Sequence, residues 1–321
     1  MSTDFAHITV LCREAIEAIA PHAGGFYADA TAGGGGHSAA VLEASAPDGR
    51  VLAIDRDPRA VQAARARLEP YGARALVVHG EFSDLPVLLR EAGASTVDGL
   101  VADLGVSSPQ LDAAERGFSF AAAGPLDMRM DSEHGESLAE LLERVDEAEL
   151  ADILHDYGEE RRARAVARSI LRARDRGELS DTTDLRRAIV RVLGPRRGRI
   201  DPATRSFQGL RIAVNRELDQ LDALLAALPE LLSDEAVAAI ISFHSLEDRR
   251  VKWAFREEPR LAPLTKRPQM AGEAECAENP RARSAKLRAA RRLPRARDEE
   301  LAAQAAQAAQ SAGPAGGRWR P

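Results

Sequence analysis

Four apolar segments separated by helical patterns fill the first 103 residues and constrain the fold more than any other feature of the chain. These segments predict strands over residues 26–30, 50–55, 75–78 and 97–103. A helix is predicted from His37 after the first strand and from Pro58 after the second, with Asp57 as its N-cap. Strands that alternate with helices predict a parallel sheet with right-handed crossovers and helices on both faces.

The alternation stops after the fourth strand. Between residues 110 and 209 apolar residues recur at helical spacing, and no strand pattern is present in the sequence. A long amphipathic helix is then predicted over 211–228, and a fifth parallel strand over 236–243. The pattern is therefore typical of an α/β protein with an all-helical domain inserted between two strands.

The predicted domain boundaries follow from this interruption. The α/β domain is discontinuous, with residues 1–109 and 210–297, and the inserted helical domain has residues 110–209. The tail, 298–321, is rich in Ala, Gln and Gly, and this composition predicts weak helicity or disorder.

Composition narrows the class of protein. Hydrophobic residues make up 45% of the chain, as in a folded globular protein. Cys12 and Cys276 form no disulfide framework, the amino terminus lacks a signal-peptide pattern, and no apolar run is long enough for a membrane span. These features predict a cytoplasmic protein. The net charge of -6 argues against a uniformly basic surface, although Lys and Arg greatly outnumber acids between residues 249 and 297.

A glycine-rich turn, Gly33 to Gly36, lies between the first predicted strand and a helix. Glycines let a ligand approach the backbone, and free N–H groups at a helix start can donate to it. The second strand ends at Asp55, where an acid in such folds accepts hydrogen bonds from ribose hydroxyls. Turn and acid together predict a nucleoside-containing cofactor. A turn that serves only chain reversal, with Asp55 flanking a helix, is the alternative.

The spacing leaves the identity of that cofactor open. Gly34, Gly36 and Ala39 fit the dinucleotide fingerprint, so an NAD-linked oxidoreductase is one alternative. A polar turn from Asp103 to Gln110 follows the fourth strand, at the edge where open α/β sheets bind ligands. This turn suits an amine-bearing substrate, and the sequence contains no evident hydride-transfer constellation.

Longer segments carry a more specific signal. In chain order they include HITVL (7–11), GGHS (35–38), AIDRDP (53–58), HGEF (79–82), DLGVSSPQLD (103–112), GPLDMRMD (124–131), ISFHSLEDR (241–249) and NPRARS (279–284). Over roughly residues 7–293 the chain resembles the family of ribosomal RNA small subunit methyltransferase H. It departs from the family pattern in the turn at 29–34, where smaller side chains leave the backbone cradle intact.

The resemblance implies a Rossmann-like domain that binds S-adenosylmethionine (SAM) and carries an inserted helical domain. It also implies methyl transfer to the N4 amine of a cytidine in the decoding centre of 16S rRNA, with the small ribosomal subunit as partner. No metal is expected, because the sulfonium donor already has a good leaving group. The implied cofactor-binding residues are Gly35, Gly36 and His37 in the turn, Asp55 at the ribose, Phe82 at the adenine, and Asp103 and Gln110 near the amino-acid part.

Several side chains keep two interpretations, and no catalytic residue is assigned. Asp103 either holds the ammonium of the cofactor or accepts a cytosine N–H, whereas His37 needs no titrating role. His244 follows the fifth strand and is either close to the chemistry or a hydrogen-bonded strand-end residue. Asp127 and Arg129 share a face and either shape an RNA pocket or pair with each other.

Basic and aromatic residues are the candidates for contacts with RNA. Arginine clusters at 196–199 and 281–297 are predicted to clamp the RNA backbone, against the alternative of a solvated face. The few aromatic candidates for stacking with bases are Phe118, Phe120, Phe207, Phe243 and Trp253. A factor that binds rRNA without methyl transfer is a further alternative, and the sequence leaves the oligomeric state open.

Overall fold

The structure is a computed structural model that describes residues 9–195, 198 and 200–311. Parts of three sequence predictions lie outside these residues. They are the start of the 7–11 segment, the arginines Arg196, Arg197 and Arg199, and the end of the tail at 312–321.

The described residues form eight strands and fourteen α-helices. The strands are β1 (Phe26–Asp29), β2 (Arg50–Asp55), β3 (Ala75–His79), β4 (Val97–Asp103), β5 (Leu232–Ser242), β6 (Leu261–Pro263), β7 (Gln269–Met270) and β8 (Lys286–Arg292). The helices are α1 (Cys12–Ile19), α2 (Gly36–Ala44), α3 (Pro58–Leu68), α4 (Leu85–Glu91), α5 (Ser108–Asp112), α6 (Leu138–Arg144), α7 (Glu147–Asp156), α8 (Ala163–Asp175), α9 (Thr182–Leu193), α10 (Thr204–Asn215), α11 (Glu217–Leu231), α12 (Ser245–Glu257), α13 (Glu273–Glu278) and α14 (Asp298–Ser311). None of these helices is both long and apolar enough to cross a membrane.

All eight strands belong to one sheet, in the order β3-β2-β1-β4-β5-β8-β6, with β7 paired to β8. Strands β1 to β5 are parallel, and Tyr27 of β1 lies between Val51 of β2 and Gly99 of β4. The order reverses between β1 and β4, because β2 and β3 continue on one side and β5 on the other. Open α/β sheets bind ligands at such a switch point, beyond the carboxyl ends of the strands. The predicted Rossmann-like α/β class is confirmed.

Local hydrogen bonds explain where the predicted helices begin. Asp57 is the N-cap of α3, and its Oδ1 accepts the N–H of Arg59 at 2.9 Å. Asp181 caps α9 in the same way and accepts the N–H groups of Thr183 and Asp184 at 2.8 and 2.9 Å. These caps satisfy donors that the first helical turn leaves free, so a short sequence pattern is enough to predict them.

The single helix predicted over 211–228 is wrong. The chain forms α10 and α11 instead, separated at Arg216, whose φ of 51° lies in the left-handed region. The break is held by Asn215, whose side chain accepts the N–H of Met130 and donates to the carbonyl of Met128, both at 2.7 Å. Apolar spacing continues through the break, so the sequence pattern does not reveal it.

The sheet also has an antiparallel edge that no sequence pattern predicts. β8 pairs with β5, and β6 and β7 pair with β8. The sequence of β8, KLRAARR, reads as part of a basic cluster because four of its residues are cationic. Leu287 and Ala290 are nevertheless buried, and so is Arg292, which donates to the carbonyl of Pro229 at 2.7 Å.

Of the two alternatives predicted for the tail, weak helicity or disorder, the first part is helical and forms α14. The helix start is fixed by Asp298, whose carboxylate accepts two hydrogen bonds from Arg292 at 2.9 and 2.7 Å. Leu301 packs one turn later and is buried. A buried arginine in β8 therefore gives the tail an attachment that its composition does not show.

Apolar side chains form one large cluster on each face of the sheet and a third in the helical region. The described residues between 110 and 209 form helices and no strand, and they lie in the chain between β4 and β5. The helical region therefore has a core of its own. The domain boundaries themselves stay a prediction.

Candidate active site

A cavity opens at the carboxyl edge of the sheet, at the switch point of the strand order. It encloses about 910 Å³, including its open mouth. The turns that follow β1 to β5 line it, together with the first residues of α11 and α12. Four of the predicted cofactor residues are on its surface: Asp55, Phe82, Asp103 and Gln110. The remaining three, Gly35, Gly36 and His37, do not line it.

Asp55 ends β2 and closes the glycine turn from the side of the cavity. Its Oδ2 accepts the N–H of Gly33 at 2.8 Å, and its Oδ1 accepts the N–H of Asp57 at the same distance. Burial raises the pKa of Asp55 to about 6, although these two donors oppose the rise. The carboxylate is thus oriented by the backbone at the edge of the cavity.

The glycine turn is shaped by close packing. Gly35 has φ of 76°, and a Cβ on it would lie 3.3 Å from Cα of Ala64 in α3. A Cβ on Gly36 would lie 1.8 Å from Oγ1 of Thr9. Glycine is needed at both positions because backbone or side chain already occupies the space of a larger residue.

His37 lies at the start of α2 and is buried. Its Nε2 donates to the carbonyl of Val10 at 3.1 Å, which ties the helix to the segment that precedes α1. Burial lowers the pKa of His37 to about 4, so the imidazole is neutral at pH 7. A role of Gly35, Gly36 and His37 in cofactor binding stays a prediction.

Asp103 ends β4 at the floor of the cavity. Its backbone N–H donates to Oγ1 of Thr31 at 2.6 Å, which joins the turns after β1 and β4. Among the described residues its buried Oδ1 has no hydrogen-bond partner. Burial raises the pKa of Asp103 well above its ordinary value, and the nearby carboxylates of Asp29 and Glu247 add to the rise.

Gln110 belongs to a buried hydrogen-bond network behind the cavity wall. Its Oε1 accepts the N–H of Ser107 at 2.9 Å, and its Nε2 donates to Oδ2 of Asp57 at 2.8 Å. Nη1 of Arg116 donates to the same oxygen at 2.8 Å, and Nη2 donates to the carbonyl of Met130 at 2.8 Å. Met130 lines the cavity. The network therefore connects the turn after β2 with the helical region.

Phe82 lies in the turn that follows β3 and packs against the core on one face of the sheet. The turn is closed by Asp84, whose carboxylate accepts the N–H of Glu81 at 3.3 Å. Phe82 and Asp55 both line the cavity, and they follow the neighbouring strands β3 and β2. This position suits a flat ring bound over the end of β2 and β3.

A further part of the cavity lining comes from Glu217 and Gln220 of α11 and Glu247 of α12, here called the far wall. Glu217 accepts two hydrogen bonds from Arg211, at 2.7 and 2.9 Å. Glu247 accepts the N–H of Phe243 at 2.9 Å. No sequence pattern predicts these residues as part of the site. The only available signal is the acid three residues after His244, which indicates a helix start.

Comparison with known proteins assigns the family. The model of the MraW methylase family matches residues 4–293. The chain belongs to this family. The ribosomal RNA small subunit methyltransferase H of Sorangium cellulosum (strain So ce56) is 59% identical over 288 residues, which cover 89% of this chain and 91% of that relative. The protein of the same name from Thermomicrobium roseum is 50% identical over 305 residues, which cover 89% and 94%.

The methylase family membership confirms the resemblance seen in the sequence and identifies the chain as a methyltransferase. Within the part of this methylase that the structure describes, two groups of side chains have the composition of a metal site. Asp131, Glu133 and His134 form a largely exposed group, and Glu217, His244 and Glu247 form a more buried one with ligand-type atoms within 4.8 Å of one another.

The buried group is already engaged by protein donors. Both oxygens of Glu217 accept hydrogen bonds from Arg211. His244 is the N-cap of α12, and its Nδ1 accepts the N–H of Glu247 at 3.4 Å. Its buried Nε2 lies 3.2 Å from Oε1 of Glu247 but has no hydrogen-bond partner among the described residues, so both interpretations of His244 stay open.

Asp127 and Arg129 pair with each other, as one of the two sequence interpretations predicts. Nε and Nη2 of Arg129 donate to the two carboxylate oxygens of Asp127 at 2.8 and 2.9 Å. Neither residue lines the cavity. Their pairing stabilises the loop that leads to Met130.

Proposed function

We propose that this methyltransferase transfers the methyl group of SAM to the N4 amine of a cytidine in the decoding centre of 16S rRNA. The observation that carries the proposal is the cavity at the switch point, where Asp55 and Asp103 lie on the ends of two strands that flank β1. Relatives named as ribosomal RNA small subunit methyltransferase H support an rRNA substrate. The cytidine N4 position and the decoding centre follow from the family resemblance.

The cavity fits a polar, cationic ligand such as SAM. Four buried polar atoms on residues that line it have no hydrogen-bond partner among the described residues: Oδ1 of Asp103, Nε of Arg56, Oγ of Ser107 and Oε1 of Gln220. Buried polar atoms without partners are rare in folded proteins and are expected where a ligand supplies the missing bonds. Asp103 would accept from the ammonium, Asp55 from the ribose hydroxyls, and Phe82 would contact the adenine ring.

The glycine turn and Gln110 would complete the cofactor site. The turn places backbone N–H groups at the start of α2, and the absence of Cβ atoms at Gly35 and Gly36 keeps its compact shape. Gln110 would hold the turns around the cofactor in place, since the oxygen and the nitrogen of its amide already form hydrogen bonds with Ser107 and Asp57. SAM, when bound, would supply an electrophilic methyl on a sulfonium and leave as S-adenosylhomocysteine. The protein residues would orient the two reactants, and the proton that the N4 amine loses would pass to Asp103 or to solvent.

Alignment is the main contribution expected from the protein. The lone pair of the cytosine amine is delocalised into the ring, so transfer requires the amine in line with the methyl–sulfur bond. Holding both reactants in a near-attack geometry can supply up to about 7–11 kcal/mol of the barrier. The base must leave its stack to enter the cavity, which favours a single-stranded or opened RNA segment.

RNA contacts are proposed for the helical region, residues 110–209, with the small ribosomal subunit as partner and the cytoplasm as location. The prediction that two arginine clusters clamp the RNA backbone is weakened for the cluster at 281–297, because most of its cations form ion pairs within the chain. The pairs are Arg281–Asp112, Lys286–Asp248, Arg288–Asp248, Arg291–Glu235, Arg292–Asp298, Arg295–Asp234 and Arg297–Glu300. The arginines of the other cluster, Arg196, Arg197 and Arg199, lie outside the described residues.

The test is incubation with tritiated SAM and small ribosomal subunits that lack the modification, followed by nucleoside analysis. We expect label in N4-methylcytidine, and none when the subunits already carry the modification. Label in another nucleoside would contradict the N4 assignment. Absence of transfer together with normal SAM binding would favour a non-catalytic rRNA-binding factor.

A further inference from the structure

Helix α12 carries basic and aromatic side chains along one face. Arg249, Lys252, Trp253 and Arg256 are spaced three, four and seven residues from the first, which places them on the same side of a helix. The opposite side packs into the protein through Leu246, Glu247, Val251 and Phe255. The four outward residues are called here the α12 stripe.

Trp253 is the centre of the α12 stripe and is 41% exposed. Nζ of Lys252 lies 5.0 Å from the centroid of its ring, and Cζ of Arg256 lies 5.3 Å from it. Neither cation forms an ion pair with any residue that the structure describes. Arg249 is held only at 3.4 Å by the exposed Glu159. Trp253 is therefore an exposed ring between two cations that have no acidic partner among the described residues. A ligand that carries negative charge would supply the missing partner.

The stripe begins close to the cavity. Glu247, in the first turn of α12, lines the cavity, and Trp253 follows six residues later. At the usual rise of an α-helix, these two residues are separated by about 9 Å along the axis. Glu247 lies on the packed side of the helix and Trp253 on the outward side, so the path from the cavity to the stripe also passes around the helix. Several nucleotides that flank a base in the cavity can follow this path.

We propose that the α12 stripe binds single-stranded RNA, with one base stacked on Trp253 and the adjacent phosphates on Lys252 and Arg256. The inference rests on the proposed function, since it concerns RNA that flanks the methylated nucleotide. Lys252 and Arg256 reach the indole through flexible side chains, so a base can replace one of them over the ring while the displaced cation contacts a phosphate. Combined aromatic and cationic contacts are the usual means of binding single strands.

RNA fits this surface better than a protein does. A protein partner would have to bury two cations, which is costly unless it brings matching acids. RNA supplies negative charge and flat bases in the same repeating unit. The stacking contact needs no particular base, because every base has a π-face.

The experiment uses the full chain and a fluorescein-labelled single-stranded oligoribonucleotide of about 12 cytidines, within the usual site size. Binding is followed by anisotropy. We expect Trp253→Ala to weaken binding about tenfold and Trp253→Phe to retain most of it. The matched control is Leu76→Ala, which removes an apolar side chain of similar exposure (44%) from edge strand β3.

A second arm measures the salt dependence. The double variant Lys252→Gln/Arg256→Gln should reduce the slope of log affinity against log salt by about one to two, as expected for two lost phosphate contacts. The control is Arg90→Gln, an exposed arginine at the end of α4, which should leave the slope unchanged.

The outcomes separate this inference from the proposed function. Equal affinity of Trp253→Ala and the unchanged chain for the oligonucleotide would overturn the stripe. The stripe would also be overturned if Trp253→Ala bound assembled subunits more weakly but bound the oligonucleotide as tightly as the unchanged chain does. That result would assign the surface to a ribosomal protein. If RNA binding depends on the stripe but no methyl group is transferred, the inference about the stripe holds and the proposed activity is refuted. Calorimetry with SAM should give the same affinity for all variants.

Discussion

The cavity has two sides that are built in different ways. On one side, here called the near wall, Gly33, Asp55 and Asp103 each lie at or just beyond the end of a parallel strand. On the far wall, Glu217, Gln220 and Glu247 come from two helices that follow the helical region in the chain. The near wall is thus assembled from strand and turn patterns, whereas the far wall depends on how distant segments pack.

The two walls also differ in how their acids are satisfied. Asp103 on the near wall keeps a buried oxygen without a partner among the described residues. On the far wall Glu217 and Glu247 are held by Arg211 and by the N–H of Phe243. Gln220 on the far wall also keeps a buried oxygen without a partner among the described residues. Each wall therefore retains one unpartnered acceptor, whereas the two acids of the far wall are fixed by internal hydrogen bonds.

The hydrogen-bond network between the turn after β2, beside the near wall, and the loop at Met130 is expected to give the largest effect. Arg116→Gln removes the guanidinium that joins Asp57 to Met130 and leaves a buried carboxylate with fewer donors. We expect the free energy of unfolding in urea to fall by about 3–5 kcal/mol. The control Arg59→Gln removes an exposed pair with Glu115 and should cost less than about 1 kcal/mol. Equal losses in the two variants would show that this network does not stabilise the turn after β2 against the loop at Met130.

Removal of charge on the near wall should affect cofactor binding most directly. Asp103→Asn keeps the shape of the side chain but loses a charged acceptor for the SAM ammonium. Hydrogen bonds to charged groups contribute about 1.5–3 kcal/mol, so calorimetry should show SAM binding weakened by roughly 10- to 150-fold. Asp112→Asn, at an exposed acid on α5, is the control. Unchanged SAM affinity with lost turnover would instead assign Asp103 to the cytosine amine.

The pKa of Asp55 predicts a pH dependence of the near wall. Because the pKa is about 6 in the free protein, the carboxyl is protonated below that pH and can no longer accept hydrogen bonds with full charge. SAM affinity should therefore fall as the pH drops through 6, by up to about tenfold per pH unit, and vary less above it. In Asp55→Asn the fall in SAM affinity around pH 6 should disappear, and any remaining pH dependence should come from Asp103. A pH profile identical in the two proteins would contradict a role of Asp55 in binding.

The break before the far wall gives the smallest expected effect. Arg216 adopts the left-handed conformation between α10 and α11, where glycine is favoured over other residues. Arg216→Gly should therefore raise the free energy of unfolding by about 0.5–1 kcal/mol. Ala223→Gly, at an exposed position inside α11, should lower it by about 1 kcal/mol. Destabilisation by both substitutions would indicate that the two helices behave as one.

Sequence patterns were sufficient where a short stretch of chain decides the structure. Strand β4 and the N-cap of α3 by Asp57 are local features, and both were predicted. Asp55 and Asp103 were predicted to line the site because parallel strands end at one edge of a sheet. The break at Arg216 was missed, because it is held by hydrogen bonds from Asn215 to a loop far away in the chain.

The sequence alone determined that the chain is a Rossmann-like methyltransferase with a helical region between its fourth and fifth strands. Only the tertiary structure decided that β8 extends the sheet beyond β5, that the basic residues of 281–297 are mostly paired, and that α11 and α12 form the far wall. The physical reason is the range of the interactions. Strand ends and helix caps depend on neighbouring residues, whereas ion pairs and packed helices depend on segments that meet only after the sheet has formed.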